Sequence, residues 1–290
     1  IILFMFKNKL CLYSNLMRLN KPVGIFLLIW PPFWVIVFLS NDNIYSFLSL
    51  IFLLGVIFTR TIGCVVNDFF DKNYDKSVSR TKDRPYAAGL ISRKEVIFIF
   101  LILSILNLGL LFFLNVKTLI IAAISIPFIL IYPLTKRFFV APQFFLGLTF
   151  AISTLMAHTA FTNTYPVETT WIFFFATVVW VTMFDTIYAL ADRDDDKKIG
   201  IKSTPIFFGN KDKLIIGVLQ VIFFGIFFYF GILENFNRIF YIFLITAFLL
   251  GVYNQMIISK REPANCILAF KNNQYIGLLI FLGIYAEQML

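Results

Sequence analysis

Residues 45–66 read Tyr45-Ser-Phe-Leu-Ser-Leu-Ile-Phe-Leu-Leu-Gly-Val-Ile-Phe-Thr-Arg60-Thr-Ile-Gly-Cys-Val-Val66, 22 residues with one charge. A run of about 20 apolar residues is long enough to cross a bilayer as a helix. This one leads straight into Asn67-Asp68-Phe-Phe-Asp71-Lys-Asn-Tyr-Asp75. Acids gathered where a membrane span ends are costly to keep and are read first as functional.

The rest of the chain has the same character. Of its 290 residues 60% are hydrophobic and 14% charged, against roughly 45–50% apolar in a soluble globular chain, and the mean hydropathy is +0.85. Apolar runs bounded by charges or turn residues predict nine spans: about 22–40, 45–66, 95–114, 117–132, 139–161, 168–190, 213–232, 236–258 and 272–289. No linker, low-complexity tract or soluble domain interrupts them, so residues 1–290 are expected to form a single all-α, polytopic membrane domain. The opening IILFMFKNKL is too short to span and lacks a small-residue cleavage site, so no signal peptide is expected.

The net charge of +9 raises the question of a nucleic-acid partner, and its distribution answers it. With nine spans, 22 of the 25 Lys and Arg fall on one side of the membrane, two on the other, and Arg60 lies within a span. This is the positive-inside asymmetry. It excludes nucleic acid as the reason for the charge and places the acidic segments on the cytoplasmic side of a bilayer, expected to be the bacterial inner membrane.

A second acidic segment, Asp185-Thr-Ile-Tyr188-Ala-Leu-Ala-Asp192-Arg193-Asp194-Asp195-Asp196, ends the sixth span. At about 100° per residue on a helix, Asn67, Asp71 and Asp75 are spaced i, i+4, i+8, and Asp68 is spaced i+3 and i+7 from Asp71 and Asp75, so all four are expected on one face. Asp185, Asp192 and Asp196 (i, i+7, i+11) are expected to form a second face with Tyr188 near it. Like charges so spaced repel and call for a cation. Oxygen donors without His or Cys favour Mg²⁺, which is commonly shared between a few carboxylates and substrate phosphates. Asp194 and Asp195, interleaved with Arg193, Lys197 and Lys198, also fit a plainly solvated loop.

Basic residues follow both segments: Arg80, Lys82 and Arg84 after the first, Lys202 after the second, and Lys136 with Arg137 at the end of the fourth span. Lys and Arg bind diphosphate. Arg60, inside its span, needs an acid or an anionic substrate as partner, and Arg18 before the first span is a weaker candidate of the same kind. His158 reads as a hydrogen-bonded packing residue, and Trp30-Pro31-Pro32 with Trp34 as a break or kink near the interface. The isolated Cys11, Cys64 and Cys266 suggest neither disulfide nor zinc.

Arg18-Leu-Asn-Lys21-Pro22, Gly63-Cys-Val-Val-Asn67-Asp68-xx-Asp71-xxx-Asp75, Arg80-Thr-Lys-Asp-Arg84-Pro85, Tyr132-Pro133-xx-Lys136-Arg137 and Tyr188-Ala-xx-Asp192-Arg-Asp-Asp-Asp196-xx-Ile-Gly-Ile-Lys202-Ser-Thr occur in this order. Together they resemble the UbiA superfamily of intramembrane prenyltransferases. That resemblance implies nine helices around a central cavity with a cytoplasmic cap, and Mg²⁺ as cofactor. It puts metal ligation on Asn67, Asp68, Asp71, Asp75, Asp192 and Asp196. Diphosphate and acceptor binding fall on Arg80, Arg84, Lys136, Lys202, Tyr132, Tyr188 and Asp185, with Arg60 and Arg18 as candidates for an acceptor carboxylate. Asp71, Asp192, Lys136 and Arg84 are expected to carry most of the catalytic effect.

The YPxxKR and DRDDDxxIGIKST patterns favour the branch that uses a polyprenyl diphosphate and 4-hydroxybenzoate. Naphthoate, homogentisate and haem are the alternative acceptors within the family. A cation transporter is the alternative outside it, but transporter acids sit near the bilayer midplane and these sit at one edge.

Overall fold

Three short polar side chains show how the sequence starts its helices. Ser46 and Asn115 accept from the backbone N–H three residues on, and Ser92 forms a reciprocal capping box with Glu95. Each satisfies N–H groups that the first helical turn would leave unpaired. Left-handed residues end two others: Asn163 (φ 52°) and Gly200 (φ 73°).

The computed structural model describes residues 2–40, 44 and 46–289, and side chains from Lys9 onward; Tyr45, the first residue of the second expected span, lies outside the described residues. In chain order the α-helices are α1 (Ile2–Leu16), α2 (Val23–Leu39), α3 (Phe47–Asp75), α4 (Arg93–Leu111), α5 (Val116–Phe138), α6 (Pro142–Thr162), α7 (Glu168–Leu190), α8 (Arg193–Ile199), α9 (Thr204–Phe208), α10 (Asp212–Leu233), α11 (Arg238–Ile257) and α12 (Pro263–Gln288). No strand occurs among the described residues. Each of the nine expected spans corresponds to one long helix: α2 to α7 and α10 to α12. By length and hydropathy eight candidate spans are long and apolar enough to cross a membrane, and α2, at 17 residues, is the shorter apolar ninth.

The helices pack as one bundle, with α6 against α7, α2 and α5, and α12 against α11, α2 and α7. Lipid offers no hydrophobic gain for helix association, so close approach and polar links matter more than in water. At Gly147 on α6 a Cβ would come within 2.7 Å of the Val178 carbonyl oxygen on α7, so only glycine permits that approach. Thr118 and Thr159 share a hydrogen bond of 2.9 Å between α5 and α6. The centre of the core is aromatic: Trp34, Trp180, Phe223 and Phe227 are all fully buried and pack on one another, Trp180 stacked on Phe223 and the others tilted or edge-to-face.

Several local expectations change. The Trp30-Pro31-Pro32 stretch lies inside an uninterrupted α2. Trp34 is not at an interface but deep in the core, where its indole N–H donates 2.9 Å to the Gly277 carbonyl. As the helical spacing of the acids implies, α3 runs on past the expected span end at Val66 through Asp75, 29 residues in all, and carries the first acidic segment out on a rigid rod. Both ring nitrogens of His158 are engaged, by Thr170 at 2.7 Å and Thr164 at 3.1 Å, as expected of a packing residue.

Candidate active site

The C-terminal ends of α3, α5 and α7 meet with α8 around one cavity. Its wall includes Asn67, Asp71 and Asp75 from α3, Tyr132 and Lys136 from α5, Asp185 and Tyr188 from α7, and Asp192 and Asp196 beyond the end of α7. Arg80, Arg84 and Lys202 line it from the loops. The i, i+4, i+8 spacing on an unbroken α3 is what aligns the first three.

Asp68 departs from that alignment. It sits about 100° round the helix from Asn67, does not line the cavity, and is 2% exposed. There Arg18 holds it through two hydrogen bonds of 2.6 and 2.9 Å, with Arg84 at 3.3 Å. The expectation that all four polar residues share one face is therefore corrected: Asp68 faces the protein, and Arg18, offered as an acceptor-binding residue, is committed to it. Breaking a buried pair of this kind by removing one partner costs about 3–5 kcal/mol.

The second segment also differs from the single helix its spacing suggested. The helix α7 stops at Leu190, and Asp192 (φ −107°, ψ 3°) forms the junction before α8. Its side chain does not cap α8; it accepts from Arg80 instead, through Nε at 2.9 Å and a second bond from Nη2. The Arg80 guanidinium also lies 4.6 Å over the Tyr188 ring and donates to its hydroxyl. Burial works against the charge of Arg80, but the bonds to Asp192 and Tyr188 outweigh it and raise its pKa. Arg80 follows the first acidic segment and binds the second, so it ties the two together across the cavity.

The other cations are placed in the same way. Lys136 pairs with Asp71. Arg84 donates to both oxygens of Asp75 at 2.9 and 3.0 Å. Lys202 is fixed by its backbone N–H on the Lys136 carbonyl (2.9 Å) and by Nζ on the Phe138 carbonyl (3.0 Å). Burial, reinforced by the neighbouring Asp192 charge, pushes the Asp196 carboxyl up to about 7, so it sits beside a second acid with its charge only partly neutralised.

Arg60 lies outside the cavity wall, deeper along α3. Its guanidinium rests against Gly24 of α2, where a Cβ would collide with it. Among the described residues no ion pair engages it, although Asp185 and Tyr132 are within reach of its field. Sequence reasoning did not find Gln143, which lines the cavity and accepts the Thr204 N–H at 2.9 Å. A lone amide at the start of an apolar helix carries no spacing signal.

The donor chemistry fits a hard divalent cation. The acids facing the cavity offer only oxygen, and Asp71 Oδ1 is buried without a hydrogen-bond partner among the described residues. No three acidic, His or Cys side chains among the described residues gather closely enough to hold an ion by themselves. Such a set suits Mg²⁺ that takes the remaining ligands from water and phosphate oxygens.

The model of the UbiA prenyltransferase family matches residues 28–281. The chain belongs to the UbiA prenyltransferase family. A 4-hydroxybenzoate octaprenyltransferase of Coxiella burnetii is 44% identical over 276 residues, 94% of each chain. One from Shewanella loihica is 38% identical over 98% of this chain and 99% of its own. Among solved structures, a UbiA homolog from Aeropyrum pernix K1 superposes with a TM-score of 0.78 at 21% identity, covering 91% of this chain and 98% of that one. A UbiA homolog from Archaeoglobus fulgidus bound to GPP and Mg²⁺ does so with a TM-score of 0.71 at 20% identity, covering 96% and 100%. The UbiA fold thus matches the expected helical bundle.

Proposed function

We propose that this UbiA prenyltransferase transfers a polyprenyl group from polyprenyl diphosphate to the ring carbon ortho to the hydroxyl of 4-hydroxybenzoate. The product is 3-polyprenyl-4-hydroxybenzoate, an intermediate on the way to ubiquinone. The observation that carries this reading is the single cavity onto which both acidic segments and four basic side chains converge, in a chain closely similar to 4-hydroxybenzoate octaprenyltransferases over most of its length. The 22-to-two charge asymmetry supports a cytoplasmic-facing cavity, in keeping with a bacterial inner-membrane location.

The chemistry follows from charge. A diphosphate leaves an allylic carbon when its developing negative charge is stabilised by groups already in place. Arg80, Arg84, Lys136 and Lys202 supply cationic donors, and Asn67, Asp71, Asp75, Asp192 and Asp196 are the residues that would hold Mg²⁺. When bound, Mg²⁺ neutralises diphosphate oxygens as a Lewis acid. The C–O bond breaks with its electron pair leaving on the diphosphate, the prenyl cation that develops is attacked by the electron-rich carbon ortho to the phenol, and that carbon then gives up its proton to a cavity aspartate or to the released diphosphate, which restores the aromatic ring. The apolar membrane-spanning stretches of α3, α5 and α7 that precede these charged ends keep water from that cation. Tyr132 and Tyr188 bring aromatic rings to the cavity wall, where their faces stabilise positive charge.

Arg60 is the residue assigned to the acceptor carboxylate, because Arg18 is occupied by Asp68 and Arg60 has no ion pair among the described residues. Losing one partner of a buried charge pair costs about 2 kcal/mol or more, roughly 30-fold. Arg60→Ala is expected to lower kcat/KM for 4-hydroxybenzoate by at least that factor while KM for the prenyl diphosphate holds. An equal loss for both substrates would remove the assignment. The test of the function itself is mass spectrometry of products from purified protein, Mg²⁺ and a long polyprenyl diphosphate offered several aromatic acids. The 3-prenyl adduct of 4-hydroxybenzoate is expected to dominate, and a preference for a naphthoate would refute the acceptor assignment.

A further inference from the structure

The segment α8 is oddly unsupported for something that carries part of a catalytic site. It spans seven residues, Arg193-Asp-Asp-Asp-Lys-Lys-Ile199, and none of them is buried as a residue. A short helix without apolar anchorage has no packing to fix its position. Something else must hold Asp192 and Asp196 at a fixed distance from α3.

From the cavity side Arg80 holds Asp192 and the Ser79 N–H donates to Asp195 Oδ2 at 3.4 Å; the structure supplies a further link on the opposite side. Arg193 turns away from the cavity and pairs with Asp212 at 3.2 Å. Among the described residues this is the one ion pair joining α8 to another element. Asp212 is the first residue of α10, is completely buried, and is bound from the other side by Arg261. That guanidinium forks onto both carboxylate oxygens, Nε at 2.9 Å and Nη2 at 2.7 Å, and reaches the Asn210 carbonyl at 3.3 Å. Arg261 itself adopts a left-handed backbone (φ 56°) in the turn before α12. One buried carboxylate therefore gathers the second acidic segment, the start of α10 and the approach to α12 onto a single point. An aspartate at a helix N-terminus, with two guanidiniums around it, is a favourable and rigid arrangement.

We infer that Asp212, through Arg193, is a positioning residue for the second acidic segment: the Arg193–Asp212–Arg261 triad sets where Asp192 and Asp196 stand relative to the first segment. The inference rests on the reading that Asp192 and Asp196 hold the metal–diphosphate. The triad itself touches neither substrate. It acts as the supporting layer that metal-binding carboxylates depend on, whose loss typically costs about 10–100-fold in metal affinity or activity.

The decisive variant is Arg193→Met, which keeps the apolar stem and the Asp212–Arg261 pair but cuts the link. In hydrogen–deuterium exchange of the full-length protein in lipid nanodiscs, amides of residues 192–201 should exchange faster than in the parent, with the starts of α10 and α12 unchanged. The Mg²⁺ concentration for half-maximal prenyl transfer should rise about tenfold, with KM for 4-hydroxybenzoate unaltered. Arg193→Lys, which keeps one charged bond, should recover part of both effects. Asp212→Asn should show the same local loosening, together with lower thermal stability from two unneutralised guanidiniums. Parental exchange and parental Mg²⁺ dependence in Arg193→Met would overturn the inference, as would loosening spread evenly over α10 and α12. Full activity of Asp192→Asn, with residues 192–201 still loosened in Arg193→Met, would overturn the metal role of Asp192 and leave the tether standing.

Discussion

Asp71→Ala is expected to lower turnover by about 10³-fold, the equivalent of several kcal/mol of lost charge stabilisation in the transition state, while the protein still inserts and folds. Asp71 lies midway along the row of cavity-facing side chains from α3 and is 5% exposed. One of its oxygens is engaged by Lys136 and the other has no hydrogen-bond partner among the described residues. A buried carboxylate oxygen left unpaired is costly unless a ligand completes it. Asp192→Ala should lose as much, since Asp192 is the point where Arg80 joins the second segment to the first. Asp71→Asn separates charge from shape: the amide keeps the volume and the packing but cannot attract a divalent cation, so it should be nearly as inactive as Ala while its melting temperature, lowered by loss of the Lys136 ion pair, falls less than that of Ala. Steady-state rates and thermal unfolding in detergent check both points. Activity within tenfold of the parent in Asp71→Asn would place the metal elsewhere.

Removal of divalent cations is expected to have the largest effect of all. With EDTA present, prenyl transfer should fall to background, and added Mg²⁺ should restore it. The physical reason is the balance of charge at the cavity. The four basic side chains that face it, Arg80, Arg84, Lys136 and Lys202, meet five carboxylates, Asp71, Asp75, Asp185, Asp192 and Asp196. A diphosphate brings further negative charge, and at low local dielectric such repulsion is strong. The chain's own cations are outnumbered, so the leaving group cannot be held without an added divalent ion. Because no three acids among the described residues lie close enough to hold an ion alone, Mg²⁺ should bind weakly to the protein by itself and tightly when inorganic pyrophosphate is present. Calorimetric titration with and without pyrophosphate measures this directly, and undiminished activity in EDTA would contradict it.

Much of this was legible in the sequence because the features are local. A long apolar run reports a span through its length, so each of the nine expected spans found its helix. Asn67, Asp71 and Asp75 align because one unbroken helix carries them, and a fixed turn angle makes spacing equivalent to direction. Asp68 was misplaced by the same logic: its i+3 and i+7 spacings are compatible with that face, and what draws it the other way is Arg18, 50 residues earlier. The break after Leu190 was hidden because Asp185, Asp192 and Asp196 fall at helical intervals whether or not the helix is continuous. The triad of Arg193, Asp212 and Arg261 was invisible, since pairing across separate helices leaves no period in the chain. Arg193 therefore looked like one charge in a solvated run, whereas its side chain is 13% exposed.

The central claim is that the two acidic segments share one metal–diphosphate. The most direct measurement is a structure of the protein with Mn²⁺ in place of Mg²⁺ and a non-reactive thio analogue of a prenyl diphosphate, with the ions located by anomalous scattering. The account predicts metal density between the two segments, with carboxylates of α3 and at least one of Asp192 and Asp196 bound through ions to the same diphosphate. Metal and diphosphate contacting only one segment, with the other segment still paired to its own arginine, would contradict it.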